Sequence, residues 1–178
     1  MSAITGLTLP EAPCPDVTPG VVALKFIPRT DIASATEASS EISAFTLEAA
    51  KFWKVYELSE IGNAGIESTK VEGRTRLWNT TATIDFLGHY TALKVAIEEL
   101  GLSSCGLVIA AKMTDDSINI FGYDEENGIV EAMRMTGSVT NTGKEEGDIK
   151  MTTITMSGRQ TEMQKEFSGV WTTGLALS

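Results

Sequence analysis

The sequence predicts a mainly β protein with one α-helix, its strands arranged as two packed antiparallel sheets in a β-sandwich or partly closed barrel of roughly seven to nine strands. Three observations predict this. All five prolines, at positions 10, 13, 15, 19 and 28, fall in the first 28 residues, so the rest of the chain lacks the residue that most disrupts a sheet interior. That remainder is rich in Thr, Val and Ile, set in short alternating runs. Only one segment, His89 to Leu100, has an apolar repeat of helical period.

Residues 1–28 read as an extended arm that ends in the first strand. Each proline of Pro10-Glu-Ala-Pro-Cys-Pro-Asp-Val-Thr-Pro-Gly20 removes a backbone donor and fixes φ, so this stretch forms neither a regular helix nor a central strand. Such an arm is either a loosely ordered terminus or a segment that orders against a neighbouring subunit. Val21-Val-Ala-Leu-Lys-Phe-Ile27 is the first strand, halted by Pro28.

Residues 29–178 read as one sandwich domain. Ile42 to Glu48 and Phe52 to Leu58 suggest a strand pair. In Arg74 to Phe86 the alternation is clear: Trp78, Ala82, Ile84 and Phe86 share a dry face, and Asn79, Thr81, Thr83 and Asp85 share a wet one. In the expected helix, about 89–100, Tyr90, Leu93, Ile97 and Leu100 form a stripe, Lys94 and Glu98 are spaced as an i,i+4 pair, and Gly101 supplies a stop. Cys105 to Met113 is a continuous apolar run of strand length, and Ser117 to Tyr123 is the next strand. Asp124-Glu-Glu-Asn-Gly128 then closes a hairpin through Asn-Gly, with Ile129 to Gly137 returning. In Asp148 to Gly158 the apolar face switches parity between Ile149/Met151 and Ile154/Met156, which predicts a bulge or a strand crossing between sheets.

Composition narrows the function. A chain of 178 residues with 42% hydrophobic content suits one domain with a substantial core. No apolar run reaches the roughly 18 to 20 residues of a membrane-spanning helix, and no basic start precedes an apolar leader, so no membrane partner is expected. The net charge of −10, with scattered Lys and Arg, argues against a surface that neutralises phosphates, yet suits one past which a polyanion moves without sticking. Cys14 and Cys105 read as two reduced thiols. One histidine and no CxxC or HxxxH spacing leave no candidate metal site, and no cofactor is expected.

Catalytic constellations are weak. His89 with Asp85 as an oriented base, and Ser103, Ser104 or Cys105 as nucleophile, lack any supporting elbow, paired carboxylate or phosphate loop. Gly62-Asn-Ala-Gly65 reads as a turn. The chain is therefore expected not to be an enzyme. Trp53, Trp78 and Trp171 with Tyr56 and Tyr123 supply rings for a carbohydrate- or ligand-binding sandwich, a reading that requires two of them coplanar and exposed.

The segment Met133 to Gly158 carries the strongest functional signal. Two strand-like runs flank Ser138-Val-Thr-Asn-Thr-Gly-Lys-Glu-Glu-Gly147, a long polar connection equipped for neither nucleophilic nor metal chemistry, which reads as an assembly surface. The layout of proline-rich arm, strands, single amphipathic helix, further strands and Gly137 to Asp148 leading into Thr152-Thr-Ile-Thr-Met-Ser-Gly158 resembles the tail tube proteins of long-tailed bacteriophages. The resemblance covers most of the chain in layout and residues 129 to 160 best.

That resemblance implies a tail-tube-like fold of two packed sheets flanked by a helix. It also implies six-fold rings that stack into a hollow tube, and a structural role as conduit for genome delivery. The expected partners are further copies of the chain, other phage tail proteins, and DNA in transient passage without specific binding; the expected location is the virion, assembled in the host cytoplasm. In that family extended termini and a long loop bridge successive rings. The resemblance carries these roles onto Pro13, Pro15 and Asp16 of the arm, and onto Thr140, Asn141, Thr142, Gly143, Lys144, Glu145, Glu146 and Asp148 of the loop. Another virion protein or a secretion-system ring protein remains the sibling reading.

Overall fold

The computed structural model describes residues 20–38, 41–58, 64–74, 77–87, 91–123, 131–142 and 150–175. In chain order the elements are β1 (Val21–Pro28), a 3-10 turn (Arg29–Asp31), β2 (Ile32–Ala38), β3 (Glu41–Leu47), β4 (Lys54–Glu57), β5 (Ala64–Lys70), β6 (Trp78–Leu87) and α1 (Thr91–Leu102). They continue with β7 (Leu107–Met113), β8 (Ile118–Phe121), β9 (Glu131–Asn141), β10 (Met151–Gln160) and β11 (Lys165–Phe167). The protein is mainly β with one α-helix, as the sequence predicts.

The strands pair into one mixed, eleven-stranded set that does not close into a barrel. Its path runs β2-β3-β11-β8-β7-β9-β10-β6-β5, with β1 branching off β7 and β4 pairing β1. Every pairing is antiparallel except β11 with β3. The run β9-β10-β6-β5 is joined to the rest by one residue pair, Leu107 with Met133.

Glycines frame that junction. Gly106 and Gly122 both have positive φ, 82° and 80°, a region that costs any residue with a Cβ. A Cβ on Gly106 would lie 2.8 Å from the Ala132 Cβ, and one on Gly122 would lie 2.8 Å from the Leu107 carbonyl and 2.9 Å from the Met133 nitrogen. Their bare backbones let β9 approach β7.

Burial explains the sequence texture. One core holds Leu24, Phe26, Ile109, Phe121, Ala82, Ile84, Phe86, Met133, Ile154 and Met156, with Leu93 and Ile97 of α1 against them. A second core, with Ile27, Ile42, Trp53, Val108, Ala110, Ile120, Tyr123, Phe167 and Leu175, lies on alternate residues of the same strands β1, β7 and β8. Both faces of β7 are thus buried, which is why Leu107 to Ala111 reads as an unbroken apolar run. Each fully buried Ile or Phe contributes about 1.5–3 kcal/mol.

Several expectations are corrected. Ile42–Glu48 and Phe52–Leu58 do not pair with each other: β3 pairs β2 and β11, whereas β4 pairs β1. Strand β2 lies in a stretch whose mixed Ala, Ser, Thr and Glu content masked it. Strand β8 does not hairpin with β9; it pairs β7 and β11, and β9 pairs β7 and β10. The Asp124–Gly128 connection itself lies outside the described residues. Gly65 belongs to β5 instead of a turn.

Gly101 lies inside α1, which runs to Leu102; a Cβ there would come 2.5 Å from Met135 Cε, so this glycine serves the approach of helix to β9. The parity switch in the last strand is absent from β10, whose register against β6 is unbroken over ten pairs. Thr152, Ile154 and Met156 face the core and Met151 faces away. The irregularities sit on β9, where Thr136 is the extra residue between Met135 and Gly137 and a second shift falls between Glu131 and Arg134.

Candidate interaction surfaces

Three strands present an edge with no described neighbour: β2, β4 and β5. Beyond Met133, β9 also has one side without a neighbour among the described residues, because β7 meets it only at that residue. The run β9-β10-β6-β5 therefore ends in an open edge on both sides. Its inward face is mostly apolar, with the buried Thr80 and Thr152 hydrogen-bonded to Ser68 and Thr140. Its outward face is set by the register that aligns Thr153 with Asp85, Thr155 with Thr83 and Gly65, and Ser157 with Thr81 and Glu67. Thr153 Oγ1 donates to Asp85 Oδ1 at 2.5 Å, which holds that carboxylate against the sheet. Arg159 Nε lies 3.7 Å from Glu131 Oε2 on the same face.

The predicted site residues fall into two groups. Thr140 and Asn141 are strand residues at the end of β9, not loop residues, because β9 continues to pair with β10 as far as Asn141 with Met151. The Thr140 and Thr152 hydroxyls are hydrogen-bond partners at 3.2 Å. Thr142 follows the strand and is exposed. Gly143, Lys144, Glu145, Glu146 and Asp148, with Pro13, Pro15 and Asp16 of the arm, lie outside the described residues.

A cavity of 920 Å³ opens between the C-terminal end of α1, the β4 edge and the segment preceding it. Phe52, Val55 and Leu102 line it and remain 40%, 41% and 80% exposed. Lys51 and Lys54 stand on one wall, Glu99 and the exposed Cys105 on the other. Lys51 pairs with Asp31 at 3.4 Å.

Two lysines are buried, and sequence reasoning passed over both. Lys25 is 1% exposed; its Nζ donates to the Trp171 and Leu175 carbonyls, each at 2.6 Å, and lies 4.6 Å from the Trp171 ring centroid. Burial lowers its pKa from the ordinary 10.5. Lys165, 3% exposed, donates to Glu37 Oε2 at 2.6 Å. A lysine inside the apolar run VVALKFI was the available signal for the first. Nothing local marked the second. Both lysines hold structure together: one ties the C-terminal turn to β1, the other ties β11 to β2.

Two of the catalytic candidates are engaged in structural hydrogen bonds. Asp85 is bonded to Thr153. Ser103 Oγ donates to the Gly106 carbonyl at 2.9 Å, closing the turn after α1. His89 lies outside the described residues. Among the described residues no group of three His, Cys, Asp or Glu is placed to hold a metal ion, and no helix is long and apolar enough to cross a membrane. Of the proposed ring platform, Trp53 and Tyr123 are each 1% exposed and Trp171 lies under Lys25.

No family model matches the chain, and comparison with curated proteins and with solved structures returns no similar protein.

Proposed function

We propose that this chain is a structural subunit that self-assembles into rings stacked as a tube, with the tail tube of a long-tailed phage as the specific version. In this reading its strands act as two packed antiparallel layers. The carrying observation is the pair of open edges on β9-β10-β6-β5. Successive strands of that run alternate in direction, so β9 and β5 run opposite ways. Setting β5 of one copy against β9 of the next continues an antiparallel ladder without reversal, and a head-to-tail contact of this kind generates a ring when its rotation closes.

Four strands at about 4.8 Å spacing give about 19 Å of arc per copy, so the six-fold ring that the resemblance implies would measure about 37 Å across its backbones before strand tilt is added. The wall would then carry the outward residues Thr81, Thr83, Thr153, Thr155 and Ser157. Glu67, Asp85 and Glu131 stand against Arg134 and Arg159 on this face, leaving it weakly acidic. Hydroxyls and a slight negative excess give a DNA phosphate little to hold. Most of the net charge of −10 lies elsewhere.

The test is negative-stain electron microscopy with light scattering, applied to the wild-type chain and to single proline variants across Gly65 to Thr69. Wild type should form rings or tubes. Variants that remove an outward N–H of β5 should stay folded by circular dichroism and fail to assemble. A wild-type monomer at every concentration, or tubes unaffected by any of these variants, would refute the reading.

A further inference from the structure

The groove between α1 and the β4 edge combines two features that proteins seldom leave bare, an open strand edge and a cluster of exposed large apolar side chains. Among the described residues β4 pairs only with β1, and its residues Lys54, Val55 and Tyr56 line the cavity beside Phe52 and Leu102. We propose that this groove is the docking site of the N-terminal segment Ile4 to Leu9 of the same chain, which lies along the β4 edge and sets its leucines against Phe52, Val55 and Leu102.

The point of entry supports this. The chain reaches β1 through Gly20, whose carbonyl accepts from Thr114 N at 3.1 Å, while Leu58 N, just past β4, donates to the Val22 carbonyl at 3.2 Å. Residue 20 therefore emerges at the end of β4 away from Lys54. Reaching the groove means running back alongside β1, eight residues or about 26 Å. The eleven residues from Leu9 to Gly20 span about 34 Å in the extended form that their prolines favour, enough for the path.

Composition separates the two parts of the segment. Pro10, Pro13, Pro15 and Pro19 stiffen the connection, while Ile4-Thr-Gly-Leu-Thr-Leu9 is proline-free, keeps all its backbone donors, and carries apolar side chains to set against those of the groove. Glu11 and Asp16 of the connection would pass the wall that bears Lys51 and Lys54. A short tether also raises the effective concentration of the segment to the millimolar range, which favours its own groove over a neighbour's in the free subunit. This inference does not depend on the ring reading; it concerns the single chain.

The experiment uses the full chain with Cys14→Ser, which leaves Cys105 on the groove wall as the remaining thiol. Adding Gly6→Cys or Thr8→Cys and oxidising mildly with copper-phenanthroline should give, for at least one of them, a disulfide within one chain. It would appear as a faster-migrating monomer on a non-reducing gel, reversed by reductant and independent of protein concentration. As a second readout, Leu7→Asp with Leu9→Asp in the Cys14→Ser chain should make alkylation of Cys105 several-fold faster without altering circular dichroism. A cross-linked dimer in place of the monomer would assign the groove to a second copy and overturn the proposal. So would the absence of any cross-link together with an unchanged alkylation rate.

Discussion

Replacing Lys25 with Met retains most of the buried stem and removes only the ammonium, so it isolates the clamp on the C-terminal turn. Two backbone carbonyls, of Trp171 and Leu175, lose their donor. If the turn stays shut they are left unpaired at about 1–3 kcal/mol each. If it opens, water satisfies them and the cost becomes the burial of Leu175, now 0% exposed, at about 1.5–3 kcal/mol. The chain takes the cheaper course. Relief from desolvating a charge offsets part of the loss, so the net destabilisation is about 2 kcal/mol, or about 4–8 °C in Tm for a chain of this size.

Urea unfolding measures the loss, and amide exchange at Ser168 to Leu175 reports whether the turn has opened. A pH series adds a sign. The folded state holds the Lys25 pKa below 10.5, so between that lowered value and 10.5 the unfolded chain binds more protons. Wild type should therefore gain stability relative to Lys25→Met as pH rises through that window, with a constant difference below it. A Lys25→Met protein at least as stable as wild type, with Ser168 to Leu175 still protected, would refute the reasoning.

Other outcomes follow from the same geometry. Glu37→Ala removes the carboxylate that Lys165 Nζ meets at 2.6 Å and should cost about 3 kcal/mol in denaturant unfolding, with β11 the first strand to exchange its amides. Gly122→Ala drives a Cβ against the Leu107 carbonyl and the Met133 backbone at a positive φ, and should cost more than about 2 kcal/mol while leaving far-UV circular dichroism largely intact. Ser117 donates from both backbone and side chain to Asp115 Oδ1 and holds that carboxyl below its usual value, so Ser117→Ala should raise the Asp115 pKa in an NMR titration. Because Asp115 is exposed, stability should hardly change.

Much of the fold was legible because local pattern and burial agree. The alternation through Trp78 to Phe86 is that of β6, and the Leu93 and Ile97 stripe faces the core. What was illegible depends on partners distant in sequence. Strands β2 and β5 are edges with few buried residues, so their composition is polar and their period faint. The Asp124–Gly128 segment has the composition of a tight hairpin turn, yet the strands on either side pair elsewhere, because β7 takes β8 along its length and β9 at its first residue. Thr152 takes a core position through its neighbours' register, and counting only apolar side chains therefore gave a false parity break in β10. Of the candidate surfaces, the polar end of β9 was visible as a texture. The groove was not, since Phe52, Val55 and Leu102 come together only when β4 and α1 are placed.

The order in which the chain visits the two sides of the Leu107–Met133 junction has a consequence for synthesis. Strands β1 to β4 are made first on one side of the Leu107–Met133 junction, β5 and β6 next on the other, then β7 and β8 on the first side again, and β9 and β10 back beside β6. Strand β10, which makes β6 an interior strand, ends at Gln160, and β11, which joins β8 to β3, follows it. The side that holds β6 is complete only once Gln160 has been made, and the other side only once Phe167 has. The nascent chain thus carries open, β-branched edges until those residues have been made, and its folding is dominated by long-range pairings that form slowly and late. Cellular yield of this protein should depend more on chaperone capacity and on the rate of synthesis than on the stability of the finished fold.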